Sequence, residues 1–222
     1  MANPRDRQAA SRLIIMVKEP RLGSVKTRLA RGIGAVAATR FYRTVTANLI
    51  RRLAPSRRWR TVLAVTPDRA LASPVWPRSV MRVAQGGGDI GARMARLLAS
   101  SRNGPVVLIG SDIPGVAATH IAGAFEALKG KAAVFGPAKD GGFWLVGVRR
   151  ARDIRGLFDG VRWSSPHTLA DVLANLRGRT AGYAARLADV DDAAGFAEAA
   201  RLGACVTLSR ARRGLQDDRR GA

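Results

Sequence analysis

The sequence is short of the residues on which redox and soft-metal chemistry depend. It holds 1 cysteine, Cys205, in 222 residues, which excludes an intramolecular disulfide and any all-cysteine metal site. Histidines number 2, His120 and His167. Neither has a second His or Cys at ligand spacing, so a zinc site is not expected. Aromatic residues make up 5%, too few for a surface that stacks on successive bases. No apolar run approaches the roughly 18 residues of a membrane span, and the opening MANPRDRQAASR has no apolar segment of the secretory kind. Acids are scarce as well, 16 against 38 basic residues, for a formal charge of +22. A cytoplasmic, soluble protein is expected, with residues 12–203 as a single domain between a flexible tail at 1–11 and a basic, frayed tail at 204–222.

The charge invites a nucleic-acid partner, but its make-up points elsewhere. Of the 38 basic residues 33 are Arg and 5 are Lys, and they are scattered through every segment. Together with abundant Ala and Gly, that is the mark of a GC-rich coding bias. Net charge speaks to solubility and association, not to fold. Nucleic acid is therefore not the expected partner. Ser111, Ser164 and Ser165 lack a G-x-S-x-G setting, so no serine nucleophile is argued.

What the sequence does contain is an alternation of apolar runs and amphipathic stretches. Leu13–Val17 reads as a strand buried on both faces. It runs into MVKEPRLGSVKTRLARGIG, Met16 to Gly34, a basic and glycine-punctuated loop suited to phosphate. This is not a Walker A loop, because Val25 precedes Lys26, nor a G-x-G-x-x-G fingerprint. Ala35–Leu53 reads as a helix, with Phe41, Val45, Leu49 and Leu53 spaced by four. Strands follow at Thr61–Val65 and Val80–Ala84, and then QGGGDIGARMARLL, where Asp89 is placed to cap a helix. PVVLIG (Pro105–Gly110) is a strand, and Ala117–Leu128 a helix. AAVFGPA and FWLVGV are strands joined by the turn KDGG. A helix starts at Ser165-Pro166, a strand is expected in YAARLADV, and a short helix in DDAAGFAEAARL. Such an alternation predicts an α/β sheet, mostly parallel, with ligands at the carboxyl ends of its strands.

The polar motifs fall at those ends. Asp112 follows VVLIG, where a carboxylate suits Mg²⁺ or Mn²⁺ shared with substrate phosphates and equally suits a turn. In ADVDD, Asp191 could complete that site while a neighbouring acid caps the next helix. Asp140, in KDGGFW, is aimed either at a ligand or into a hairpin turn. Trp163 is a core aromatic or a pocket wall.

Taken together, VKEPRLGSVKTRLARGIG, GGGDIGARM, VVLIGSDIPG, GPAKDGGFWLVGV, WSSPHTLAD and ADVDD resemble a family of bacterial proteins of unknown function described as GT-A-like glycosyltransferases, some linked with arsenosugar biosynthesis. The resemblance runs from Arg12 to Leu202. More distantly, the chain is similar to molybdenum-cofactor and 2-phospho-L-lactate guanylyltransferases, which share the nucleotide-diphospho-sugar transferase fold. The resemblance implies a three-layer, Rossmann-like GT-A sheet with helices on both faces. It implies a nucleotide pocket with Lys26 and Arg28 near the phosphates. Lys18, Gly23, Thr27, Gly88, Asp89 and Arg93 are placed around that pocket, and a divalent metal on Asp112 and Asp191. Asp140 is the candidate general base, with Phe143, Trp144 and Trp163 as the acceptor pocket. Lys139, Ile113 and the Phe143-Trp144 pair depart from the residues common at those positions. The expected activity is glycosyl transfer from a nucleotide-sugar to a small hydroxyl acceptor. Nucleotidyl transfer from an NTP is the near alternative, and a non-catalytic nucleotide-binding or nucleic-acid-associated protein the remote one.

Overall fold

The structure, a computed structural model, describes residues 11–100, 104–187, 190, 192 and 195–197. The chain runs β1 (Arg12–Lys18), α1 (Thr27–Ile33), α2 (Ala35–Leu53), β2 (Arg60–Thr66), β3 (Met81–Ala84), α3 (Ile90–Ala99), β4 (Val106–Ile109), α4 (Ala118–Gly130), β5 (Ala133–Pro137), β6 (Phe143–Val148), α5 (Thr168–Ala174) and β7 (Ala181–Tyr183), with 3-10 turns at Asp68–Ala72 and Ala151–Ile154. These 7 strands form one sheet in the order β3-β2-β1-β4-β6-β5-β7.

The sheet is parallel except for β6, which runs against both β4 and β5. A parallel pair needs a long crossover, whereas an antiparallel neighbour can be reached by a tight turn. The short KDGG connection between β5 and β6 leaves room only for the turn. Reversal has a functional consequence, since it brings the start of β6 to the edge where the parallel strands end.

Alternation along β1 explains the layers. Leu13, Ile15 and Val17 face a core shared with Leu49 and Leu53 of α2 and Ile121, Ala124 and Leu128 of α4. Ile14 faces the opposite core, with Met94, Leu97 and Leu98 of α3 and Val172 of α5. Side chains of a strand point to opposite faces in turn. A strand covered by helices on both sides therefore reads as a continuous apolar run, as LIIMV does. A smaller cluster joins Leu29 of α1 to Ala38, Phe41 and Val45 of α2, and to Val190 and Phe196.

Three local expectations change. The basic loop is shorter than expected, because Thr27–Ile33 is a helix anchored by the fully buried Leu29. Its single apolar anchor and the closing Gly32 and Gly34 hide it from periodicity. Helix α5 begins at Thr168, not at Ser165-Pro166. The strand expected in YAARLADV lies earlier in the chain: β7 pairs Ala181, Gly182 and Tyr183 with Ala133, Val134 and Phe135 of β5, and residues 184–187 are outside any strand. Of the short helix expected after Asp192, residues 195–197 are helical. Asp189 and Asp191 lie outside the described residues, as do the expected tail at 204–222 and all but Ser11 of the expected tail at 1–11. Among the described residues, no helix is long and apolar enough to cross a membrane.

Candidate active site

The carboxyl edge of the sheet opens into a cleft of about 690 Å³. One side is built by the end of β1, the segment and helix α1 that follow it, and α3, which contribute Lys18, Lys26, Thr27, Arg28 and Arg93. The other side is built by residues 138–168, with Asp140, Phe143, Trp163 and Ser164 among its lining groups. Ser111 and Asp112, at the end of β4, lie between the two.

Lys26 immediately precedes α1 and has a left-handed backbone, φ 48°. Its side chain is 5% exposed, and its Nζ donates to Asp112 Oδ2 at 2.8 Å. A buried ammonium is tolerated only when paired, so this contact fixes the segment after β1 against the end of β4. The Asp112 carboxylate is the more open partner, with 34% of its side chain exposed.

Beneath this pair, Tyr42 of α2 joins the same two strands. Its hydroxyl accepts from the Lys18 backbone N–H at 2.9 Å and shares a hydrogen bond with Ser111 Oγ, also at 2.9 Å. Thr46 Oγ1 donates to the Ser111 carbonyl at 3.5 Å. Burial pushes the Tyr42 phenol up from its ordinary value, outweighing the hydrogen bonds that pull it down. It remains a neutral phenol at physiological pH. The sequence offers no triad around Ser111; its setting is this hydrogen-bonded floor.

The glycine cluster after β3 is pinned by side chains. Buried Gln85 donates to the Val17 and Ala64 carbonyls at 3.2 and 2.9 Å. Arg96 donates to the Gln85 carbonyl at 2.6 Å and the Gly87 carbonyl at 2.9 Å, and Arg93 Nε to the Gly88 carbonyl at 2.9 Å. Asp68 accepts from the Gly86 N–H at 3.2 Å. Asp89 is the N-cap of α3, accepting from the Ala92 N–H at 2.8 Å. Its carboxylate is thus engaged in capping, and neither it nor Gly88 lines the cleft. Gly23 also lies off the cleft lining; with φ +73° it serves the turn itself. Lys18, Lys26, Thr27, Arg28 and Arg93 do line it.

On the opposite side, the alternation of β6 separates two aromatic residues expected to act together. Phe143 packs edge-on against Phe135 and Trp163, with centroids 5.8 and 6.4 Å apart. Trp144 borders the cleft, but its ring points to the other face. It is 5% exposed, belongs to the core with Ile121 and Leu145, and donates its indole N–H to the Ala185 carbonyl at 2.9 Å. The Trp144 ring is therefore a core element and not an acceptor wall.

Asp140 is exposed at the mouth of this half, where its Oδ1 accepts from the Gly142 N–H at 2.9 Å. It both makes a turn and lines the cleft. Gly141 between them has φ +84°, and a Cβ there would lie 2.3 Å from the Pro166 carbonyl oxygen. The loop it touches is itself held firmly. Arg162 makes two side-chain hydrogen bonds to Asp171, at 2.9 and 2.7 Å, and its backbone N–H a third at 3.0 Å. These hydrogen bonds lower the Asp171 carboxyl to about 2. The support is present above the ordinary aspartate range and is lost as pH falls through about 2. Gly141→Ala is expected to lower stability by more than about 1 kcal/mol, since a left-handed backbone and a backbone clash both oppose a side chain there. A melting temperature equal to that of the wild type would show that the Pro166 loop yields.

Among the described residues there is no group of three His, Cys, Asp or Glu side chains positioned to hold a metal. Asp112 is present at the cleft, and Asp191 lies outside the described residues. Residues 49–165 match the family described as "Uncharacterized protein conserved in bacteria (DUF2064)". The chain belongs to that family. Among solved structures, this DUF2064 protein is similar to a Desulfovibrio desulfuricans G20 protein provisionally described as a nucleotide-diphospho-sugar transferase. The two are 28% identical, with 83% of each chain covered and a TM-score of 0.76. It also resembles, in fold alone, 4-diphosphocytidyl-2C-methyl-D-erythritol synthase from Anaerococcus prevotii, at 10% identity and a TM-score of 0.52, with 82% of this chain and 90% of that one covered. The expected GT-A-like sheet is the fold these comparisons show. The comparison with curated proteins finds no match.

Proposed function

We propose that this protein is a nucleotide-dependent transferase that moves a glycosyl group from a nucleotide-sugar to a hydroxyl of a small acceptor. The observation that carries the reading is the Lys26–Asp112 contact between the segments that follow β1 and β4. It stands in a cleft whose lining cations, Lys18, Lys26, Arg28 and Arg93, all come from one side. A diphosphate laid on that side meets cations and the loop preceding α1, while Asp140 and Trp163 remain for an acceptor. Similarity to the Desulfovibrio protein supports a nucleotide-sugar as donor.

The residues present fit a divalent cation. Asp112 Oδ2 is engaged by Lys26, and Oδ1 makes no hydrogen bond among the described residues. One carboxylate plus substrate phosphate oxygens is a usual Mg²⁺ environment. Asp112 would hold Mg²⁺ or Mn²⁺ there, which would neutralise charge on the departing diphosphate. Lys26 and Arg28 bind the phosphates, and Phe143 and Trp163 wall the acceptor. The acceptor oxygen attacks the anomeric carbon, the bond from that carbon to the phosphate oxygen breaks, and the acceptor proton passes to Asp140.

Incubation with Mn²⁺ and a panel of nucleotide-sugars and NTPs, with separate assays for nucleoside diphosphate and pyrophosphate, tests the reading. Nucleoside diphosphate released from a nucleotide-sugar is the expected result. Pyrophosphate from an NTP would replace it with nucleotidyl transfer.

A further inference from the structure

The acceptor half of the cleft has a polarity of its own. Among its described lining residues Asp140 is the only charged one, beside Phe143, Trp163 and the hydroxyls of Ser164, Ser165 and Thr168. The nearby Arg162 is paired with Asp171, and Lys139 and His167 do not line the cleft. A phosphorylated acceptor would therefore meet a carboxylate and no cation on this side. Two of the three hydroxyls are already engaged, because Ser165 and Thr168 both donate to the Arg162 carbonyl, at 2.8 and 2.7 Å. Ser164 makes no hydrogen bond among the described residues.

Ser164 is also held in an unfavourable conformation. Its φ is 56°, in the left-handed region that glycine enters freely and other residues enter at a cost. Glycine is abundant in this chain, at 24 residues, and stands at other positive-φ turns such as Gly141 and Gly160. Backbone strain tends to persist where function needs the side chain. Here that side chain is an unengaged hydroxyl on the cleft, next in sequence to the half-buried ring of Trp163.

We infer that Ser164 is the acceptor-selecting residue. Its hydroxyl, with Asp140 and the face of Trp163, takes a neutral polyol ring and discriminates against a phosphorylated one. The inference rests on the transferase reading for its biological meaning, but polyol binding can be measured without turnover. Trp59, Trp76 and Trp144 are 4%, 3% and 5% exposed, so ligands in the cleft should alter chiefly the emission of Trp163. The full chain is titrated with myo-inositol and with myo-inositol 1-phosphate at about 0.15 M salt, which screens the general attraction of a basic protein for anions. Ser164→Ala and Ser164→Gly are titrated alongside, and UDP and GDP report on the nucleotide half.

Saturable binding of inositol, at least ~10-fold tighter than of its phosphate, is expected. Both variants should weaken it by roughly 10-fold, the scale of one hydrogen bond. Ser164→Gly should in addition raise the melting temperature, because glycine relieves the left-handed strain. No saturable inositol binding, a preference for the phosphate, unchanged affinity in the variants, or a lower melting temperature for Ser164→Gly overturns the inference. Inositol binding as expected, without affinity for any nucleotide, would sink the transferase reading and leave the polyol site standing.

Discussion

Asp140→Asn is expected to lower turnover by ~10²–10⁴, the usual range for loss of a general base, with nucleotide affinity and melting temperature nearly unchanged. The asparagine side chain keeps an oxygen where Asp140 Oδ1 accepts from the Gly142 N–H, so the turn survives. What it loses is a group able to take a proton. Asp140→Ala removes both and should add a loss of stability to the same loss of turnover. The comparison separates the turn contact of this carboxylate from the base role proposed for it. If asparagine is as active as the wild type while alanine is not, Asp140 acts only through the turn. If either substitution abolishes nucleotide binding, the residue belongs to the donor side. Steady-state rates with nucleotide affinities from calorimetry decide among these outcomes.

Much of the frame behind that experiment can be read from one sequence. LIIMV and VVLI are uninterrupted apolar runs because both faces of the sheet are covered, and Ala35–Leu53 is legible to the residue because Phe41, Val45, Leu49 and Leu53 repeat by four between Gly34 and Pro55. Asp89 could be read as a cap from its place before an amphipathic stretch. Other features depend on partners remote in sequence. Tyr42 sits among Phe41 and Val45 on the buried face of its helix, and only the fold shows that its hydroxyl meets Lys18 and Ser111. The opposed directions of Phe143 and Trp144 follow from strand alternation, yet which of the two faces the cleft depends on where α5 and the Trp163 loop pack. The strain at Ser164 has no sequence signature, since nothing in SSPH marks a positive φ. The pairing of Arg162 with Asp171 spans 9 residues and looks in sequence like two ordinary surface charges.

The second large effect expected is at Asp112. Asp112→Asn should lower turnover by ~10²–10³ or more, the scale for removing a preorganised electrostatic group. The fold should tolerate the change. Asparagine still offers an oxygen to Lys26 Nζ, but the buried ammonium loses this counter-charge, so some loss of stability should accompany the loss of turnover. The distinguishing readout is how nucleotide binding responds to the cation. In the wild type, Mg²⁺ or Mn²⁺ should tighten nucleotide binding if, as proposed, Asp112 and the phosphates hold the ion together. In Asp112→Asn that enhancement should vanish, while metal-free affinity holds or rises, since the asparagine no longer competes as an anion for Lys26. A carboxylate whose purpose is to anchor Lys26 gives the opposite pattern, in which the cation acts equally on both proteins and the variant stays active. The 2.8 Å contact of Lys26 with Asp112 would then be an architectural one, joining the segments after β1 and β4, and the ion, if the reaction needs one, would have to be held by residues other than Asp112.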